Sequence, residues 1–107
     1  MSEVDRNARV LTDGSPVTDD HRELKANGQQ KDYVVLTAAE RAKGFVRTVR
    51  LAYTHLPCGS DTSMTRSIAE TYARDPGFYS GTFCATCGTH LPVNEFVWKG
   101  TSEQVGS

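Results

Sequence analysis

His55 and Cys58 stand three positions apart, as do Cys84 and Cys87, and each pair is followed by a glycine, Gly59 and Gly88. Two soft-to-borderline ligands at this spacing can both be turned toward one metal ion. A glycine after the second ligand suits the tight turn, where a side chain would obstruct the backbone amides bending toward sulfur. The two half-sites together predict one tetrahedral Cys3His centre holding a structural Zn2+ through His55, Cys58, Cys84 and Cys87. This uses all three cysteines of the chain. An odd number of thiols completes a zinc site but leaves a disulfide scheme with an orphan.

Other chemistry is conceivable at the same residues. Cys84 and Cys87 could form a thiol–disulfide redox pair, but such pairs open a helix after a strand in a βαβ context. Here Gly88 and then Pro92 follow, which is the chemistry of a metal knuckle. His90 lies three residues beyond Cys87 and could stand in for His55 as the fourth ligand; the symmetry of the two half-sites favours His55. With an open coordination position the centre could be a zinc hydrolase using His90 and Glu95. Three thiolates make a poor Lewis acid, however, and Glu95 is the only carboxylate in the strand expected there. His21, among Asp19, Asp20 and Arg22, reads as an exposed loop histidine in preference to a further ligand or base.

The elements that must position these residues are short. Tyr33-Val34-Val35-Leu36 has strand chemistry. Thr37-Ala38-Ala39-Glu40 matches a capping box that starts a brief helix, with Gly44 as its stop. Residues 45–53 alternate imperfectly and predict a strand that delivers His55 and Cys58. Asp61, Thr62 and Ser63 are N-cap candidates for the main helix. Met64, Ile68 and Tyr72 recur on one face of it, Arg66 and Glu70 pair on the other, and Pro76-Gly77 ends it. Residues 78–83 are extended and lead into Cys84, and 91–98 predict a last strand. The expected architecture is an α+β, zinc-ribbon or treble-clef-like domain. Short antiparallel strands and one main helix would bury Met64, Ile68, Tyr72, Phe83, Phe96 and Trp98.

Composition bounds the rest. The chain has 107 residues, is 37% hydrophobic and 23% charged, and carries a net charge of -1. Residues 1–32 show no hydrophobic period and predict a weakly ordered segment, or else a loop wrapping the domain on Val10, Leu11 and Val17. Residues 33–98 form the zinc-stabilised domain, a size at which one core is marginal and a metal assists. Residues 99–107 read as a flexible tail. No apolar run approaches the roughly eighteen residues of a membrane span. Met1-Ser2-Glu3-Val4-Asp5-Arg6 has neither the basic region nor the apolar core of a signal peptide. The expectation is an intracellular, cytoplasmic protein without a membrane partner, in a reducing compartment where thiols bind metal.

Two patches are candidate binding surfaces. Arg41, Lys43, Arg47 and Arg50 form a basic stretch that could contact nucleic-acid phosphates. Phe78 and Tyr79 could anchor a protein partner, Tyr79 as the foremost exposed aromatic. Either patch can equally be read as an ordinary solvated face or as core.

Residues 33–107 resemble a group of small bacteriophage and bacterial zinc-binding proteins. The resemblance is carried by Leu36-Thr37-Ala38-Ala39-Glu40-Arg41-Ala42-Lys43-Gly44-Phe45-Val46-Arg47 and by Ile68-Ala69-Glu70-Thr71-Tyr72-Ala73-Arg74-Asp75-Pro76. It is carried further by Thr82-Phe83-Cys84-Ala85-Thr86-Cys87-Gly88-Thr89-His90 and Glu95-Phe96-Val97-Trp98. It implies a phage or mobile-element origin, hence the host-cell cytoplasm, and brings no activity with it. At a coarser level the ligands are similar to those of zinc ribbons and treble clefs, folds that mostly bind nucleic acid or protein. The expected function is a zinc-stabilised binding module, a regulator or inhibitor that holds a host or phage macromolecule and is not an enzyme. Nucleic-acid binding through the basic stretch is the alternative, and hydrolase or thiol-oxidoreductase activity a further one.

Overall fold

A computed structural model describes residues 4–107. Residues 1–3, the start of the segment expected to be weakly ordered, lie outside the described residues. Among the described residues, seven short strands and one main helix make an α+β domain. The strands are β1 (Arg9–Leu11), β2 (Val34–Leu36), β3 (Ala52–His55), β4 (Ser60–Ser63), β5 (Gly81–Cys84), β6 (Thr89–Pro92) and β7 (Phe96–Trp98); the helices are α1 (Ala38–Arg41) and α2 (Arg66–Arg74). All pairing is antiparallel, in three small sheets ordered β1-β2, β4-β3-β7 and β5-β6.

The segment before residue 33 joins this body. β1 pairs with β2, Leu11 is buried, Val10 is half-buried, and Val17 is exposed. The Asn27-Gly28 turn sits against the second knuckle so closely that a Cβ on Gly28 would lie 1.9 Å from the Gly88 carbonyl oxygen.

Thr37 caps α1 as its sequence predicts, its hydroxyl accepting from the Glu40 amide at 3.2 Å. Only this half of the capping box forms. The Thr37 amide donates to the Ala8 carbonyl, while the Glu40 carboxylate turns inward to Lys43 at 2.8 Å and Arg74 at 3.1 Å. Glu40 and Arg74 are both almost fully buried, so this pair locks α1 onto α2.

The strand expected over 45–53 begins only at Ala52. Phe45, Val46 and Leu51 are exposed, and the Val46 and Arg47 amides both donate to the Ala73 carbonyl at the end of α2. The β-branched residues of this stretch, Val46, Thr48 and Val49, find no sheet partner, because β4 and β7 reach no further than Ala52 and Tyr53 in register. Asp61, Thr62 and Ser63 are likewise not helix caps. They form β4, where Asp61 accepts from the Thr54 hydroxyl at 2.6 Å, and Thr65 stands at the helix N-cap without a side-chain cap bond. The hairpin that closes the first knuckle claims these residues before α2 can start.

The single strand expected over 91–98 is broken. Pro92 ends β6, a 3-10 turn covers Val93–Glu95, and β7 then leaves the β5-β6 hairpin to pair with β3. This switch ties the two knuckle hairpins together. The expected flexible tail turns at Gly100 and returns: the Val105 amide donates to the Phe96 carbonyl at 3.0 Å, and Val105 is fully buried.

Tyr53, Tyr72, Cys84, Phe96, Trp98 and Val105 form the core cluster. Its rings meet edge to face, Tyr53 on Phe96 at 5.3 Å and Tyr72 on Trp98 at 5.4 Å between centroids, the favoured geometry for aromatic pairs. Of the six residues expected to be buried, Tyr72, Phe83, Phe96 and Trp98 are, while Met64 and Ile68 pack on the edge half-buried.

Candidate metal centre

The two half-sites adopt the same local structure. His55 pairs with Ser60 to close the β3-β4 hairpin, and Cys84 pairs with Thr89 to close β5-β6. In each turn the glycine amide donates back to the carbonyl of the first ligand, Gly59 to His55 at 2.7 Å and Gly88 to Cys84 at 2.8 Å. Both glycines have positive φ, +71° and +65°, a conformation that L side chains rarely adopt. The first ligand of each pair, His55 or Cys84, is buried on its strand; the second, Cys58 or Cys87, sits exposed on the turn. The Cys87 amide points at Cys84 Sγ from 3.5 Å, the bend toward sulfur that a knuckle requires.

The four ligand atoms lie within 4.8 Å of one another. Cys58 Sγ is 3.7 Å from Cys84 Sγ, and His55 Nδ1 is 3.1 Å from Cys58 Sγ and 3.6 Å from Cys87 Sγ. Around a tetrahedral ion with metal–sulfur bonds of about 2.3 Å, two sulfurs stand about 3.8 Å apart and a sulfur and a nitrogen about 3.6 Å apart. The Cys58–Cys84 and His55–Cys87 spacings match and the His55–Cys58 spacing is about half an ångström shorter; the cysteines are free thiols, far beyond the roughly 2.05 Å of a disulfide. His55, Cys58, Cys84 and Cys87 can therefore hold a metal ion.

The imidazole is fixed from its far side. His55 Nε2 lies 2.8 Å from Glu95 Oε1, and the ring packs on Phe96 at 4.7 Å. With Nε2–H donating to the carboxylate, Nδ1 presents its lone pair to the three sulfurs, the tautomer that a ligand needs. Burial works against protonation of His55, but Glu95 and Cys58 raise its pKa overall. The Ser60 amide, ahead of His55, holds the Cys58 thiol down at about 6. Cys87 is pushed up to about 11, by Cys84 first and then by burial and Cys58. Like charges on adjoining sulfurs oppose one another, and a divalent metal held between them would remove that conflict.

His90 stands outside the cluster, its Nε2 sharing a hydrogen bond of 2.8 Å with the Tyr33 hydroxyl and its ring lying 5.3 Å from Phe83. Burial lowers its pKa. The His90 and Glu95 of the hydrolase reading thus have separate partners. Of the basic stretch, Arg41 pairs with Glu70, Lys43 with Glu40 and Arg50 with Glu103, Arg50 also stacking over Trp98 at 4.8 Å. Arg47 donates to the Ser107 and Val46 carbonyls. Tyr79 is no open anchor: it packs on Tyr72 at 4.8 Å and its hydroxyl donates to the Val34 carbonyl at 2.6 Å. Phe78 is half-buried against it. The contact of Glu95 with His55 was missed in the sequence because it spans forty positions and depends on the 3-10 turn that splits β6 from β7.

No protein-family description, no curated protein and no solved structure matches the chain. Among the described residues no helix is long and apolar enough to cross a membrane.

Proposed function

We propose that the chain is a zinc-stabilised, zinc-ribbon-like binding module of phage or bacterial origin, working in a reducing cytoplasm by holding a host or phage macromolecule. The observation that carries this reading is the closure of the site. Two knuckles bring three sulfurs and one nitrogen within 4.8 Å of one another, the donor set that suits zinc. Zinc held there by His55, Cys58, Cys84 and Cys87 would clamp two hairpins. With four protein ligands it keeps no vacancy at which to activate water, so its contribution is to the fold. The basic stretch draws less support as a nucleic-acid surface, since three of its four cations are already paired with carboxylates.

Elemental analysis of the purified chain should give one zinc per molecule. A cobalt-substituted sample should show the intense visible bands of a four-coordinate thiolate site, and added azide or cyanide should leave them unmoved. Bands that shift with the added anion would reveal an open position and favour the hydrolase reading. A metal-free yet folded chain would overturn the zinc assignment.

A further inference from the structure

The residues before β2 do more than cover the domain. With Tyr33, Phe78 and His90 they enclose a groove of about 590 Å³, within the roughly 300–1,000 Å³ range of small-ligand sites. Its walls carry Arg9, Arg22, His21 and His90, and no carboxylate lines it among the described residues. Arg6 also reaches the groove, but Asp75 holds it in a two-point ion pair at 2.6 and 3.0 Å. Arg9 and Arg22 are different: among the described residues Arg6, Arg41, Arg50, Arg66 and Arg74 each have a carboxylate partner and Arg47 donates to two carbonyls, while these two have neither. In a chain of net charge -1, two arginines without counter-charge beside a groove are a local excess that the global balance hides.

A guanidinium presents a planar fork of donors that fits phosphate oxygens two at a time. His21 lines the groove as well, but its Nδ1–H donates to the Thr18 carbonyl at 2.6 Å, which leaves Nε2 of the neutral ring an acceptor, so the phosphate donors are the two arginines. Half-buried Phe78 and Tyr33 supply ring surface in the same groove, against which a flat heterocycle can stack. We propose that this groove binds a nucleoside phosphate, with the phosphate on Arg9 and Arg22 and the base against Phe78 and Tyr33. A free nucleotide and one residue of a single-stranded nucleic acid offer the same chemistry. The inference deepens the binding-module reading and rests on it for the premise that the chain acts by holding a partner.

The experiment measures fluorescence anisotropy of a short fluorescein-labelled oligothymidylate with the zinc-loaded chain at low salt, competed by AMP and by inorganic phosphate. Binding is expected, with AMP competing well ahead of inorganic phosphate because only AMP brings a base. Arg9→Ala/Arg22→Ala should lower oligonucleotide affinity about tenfold or more. It should also flatten the slope of log affinity against log salt by about 1.4 if both arginines contact phosphate. Zinc content and circular dichroism should not change. Arg47→Ala/Arg50→Ala should bind as wild type. An oligonucleotide that binds far tighter than AMP identifies a strand as the source; equal affinities identify the free nucleotide. Either result supports the site. Absence of binding by a folded, zinc-loaded sample overturns it, as does binding that survives loss of Arg9 and Arg22, or a phosphotyrosine peptide that outcompetes both nucleotide probes. Zinc analysis of the same sample separates the two readings. A zinc-free chain that binds the probe leaves the groove standing and removes the metal centre, and a zinc-loaded chain that does not bind does the reverse.

Discussion

Glu95 illustrates how far a single side chain acts through another. It touches no sulfur of the cluster, yet at 2.8 Å from His55 Nε2 it selects the tautomer and aims Nδ1 at the site. Outer partners of this kind are worth about 10–100-fold in metal affinity. Glu95→Ala should therefore weaken zinc binding by about that factor, measured by competition with a chromophoric chelator, while the zinc-saturated protein keeps its fold; an unchanged affinity would show that the contact does not position the ring. Gly28 is the other residue whose role depends on a distant neighbour. Its φ is +89°, and a Cβ there would meet the Gly88 carbonyl oxygen at 1.9 Å. Gly28→Ala should destabilise the zinc-loaded domain by more than about 2 kcal/mol in chemical denaturation, combining strain at positive φ with displacement of the second knuckle. A change within error would mean that the Asn27-Gly28 turn can lift away without consequence. The ligand set was legible in the sequence because a knuckle is local: three-residue spacing and a trailing glycine contain its whole geometry. Glu95 and Gly28 are not legible in their roles: Asn27-Gly28 reads as a turn, but nothing local says that it packs on Gly88, and no pattern announces the 3-10 turn that brings Glu95 to His55.

Among the elements, α1 shows what four residues need in order to remain helical. So short a helix is marginal alone, and it is held by the Thr37 cap and by the buried contact of Glu40 with Arg74. The Lys43 ammonium first, and Arg74 after it, hold the Glu40 carboxyl below the usual carboxylate range against the cost of burial. A depressed folded value means that the unfolded chain takes up protons first as pH falls. The stability contributed by Glu40 is thus fully present above the unfolded value of about 4.3 and is lost as pH falls through the folded one. Glu40→Gln should lower the denaturation midpoint of the zinc-saturated protein by the same amount at pH 7 and pH 6; a deficit that shrinks between those two values would mean that another group carries it. Val105 makes the corresponding point for the end of the chain. Fully buried beneath β7, it should cost on the order of 2 kcal/mol when cut to Ala, from lost transfer energy and the cavity left behind. A silent Val105→Ala would show that the return is not part of the core. Helix α2 was readable from Ile68, Tyr72 and the Arg66–Glu70 pair because a helix carries its own period. The strands over 45–53 and 91–98 were overextended because strand length depends on a partner. One finds no partner before Ala52, and the other changes partner at Pro92–Glu95. The return of the tail is not legible because its one apolar anchor, Val105, sits alone in a polar stretch.

At the scale of the whole molecule, the body measures 36 × 32 × 17 Å between Cα extremes, too thin for more than a helix laid on a sheet. Two of the three small sheets, β4-β3-β7 and β5-β6, share one small aromatic cluster, and isolated two-stranded ribbons are marginally stable in water. The knuckles join β3-β4 to β5-β6 at one end, and β7 joins them again beside the core. Cys84 belongs to both arrangements, as one of the four residues that can hold a metal ion and as a fully buried core residue. Metal and core should therefore form one cooperative unit. Apparent binding energies of structural zinc, roughly 10–16 kcal/mol, are as large as the whole 5–15 kcal/mol stability of ordinary domains. Chelation should unfold the chain in a single transition, followed through Trp98, whose ring contacts Tyr72, Tyr53 and Arg50 in the native state. The two second-knuckle cysteines should then differ. Cys87 is exposed, and Cys87→Ser should retain a weakened site whose folding returns at high zinc. Cys84→Ser also places a hydroxyl in the aromatic cluster and should stay unfolded at zinc concentrations that rescue Cys87→Ser. Equal rescue of the two variants would separate the metal site from the core, and native Trp98 fluorescence in the chelated protein would show that the domain stands without its metal.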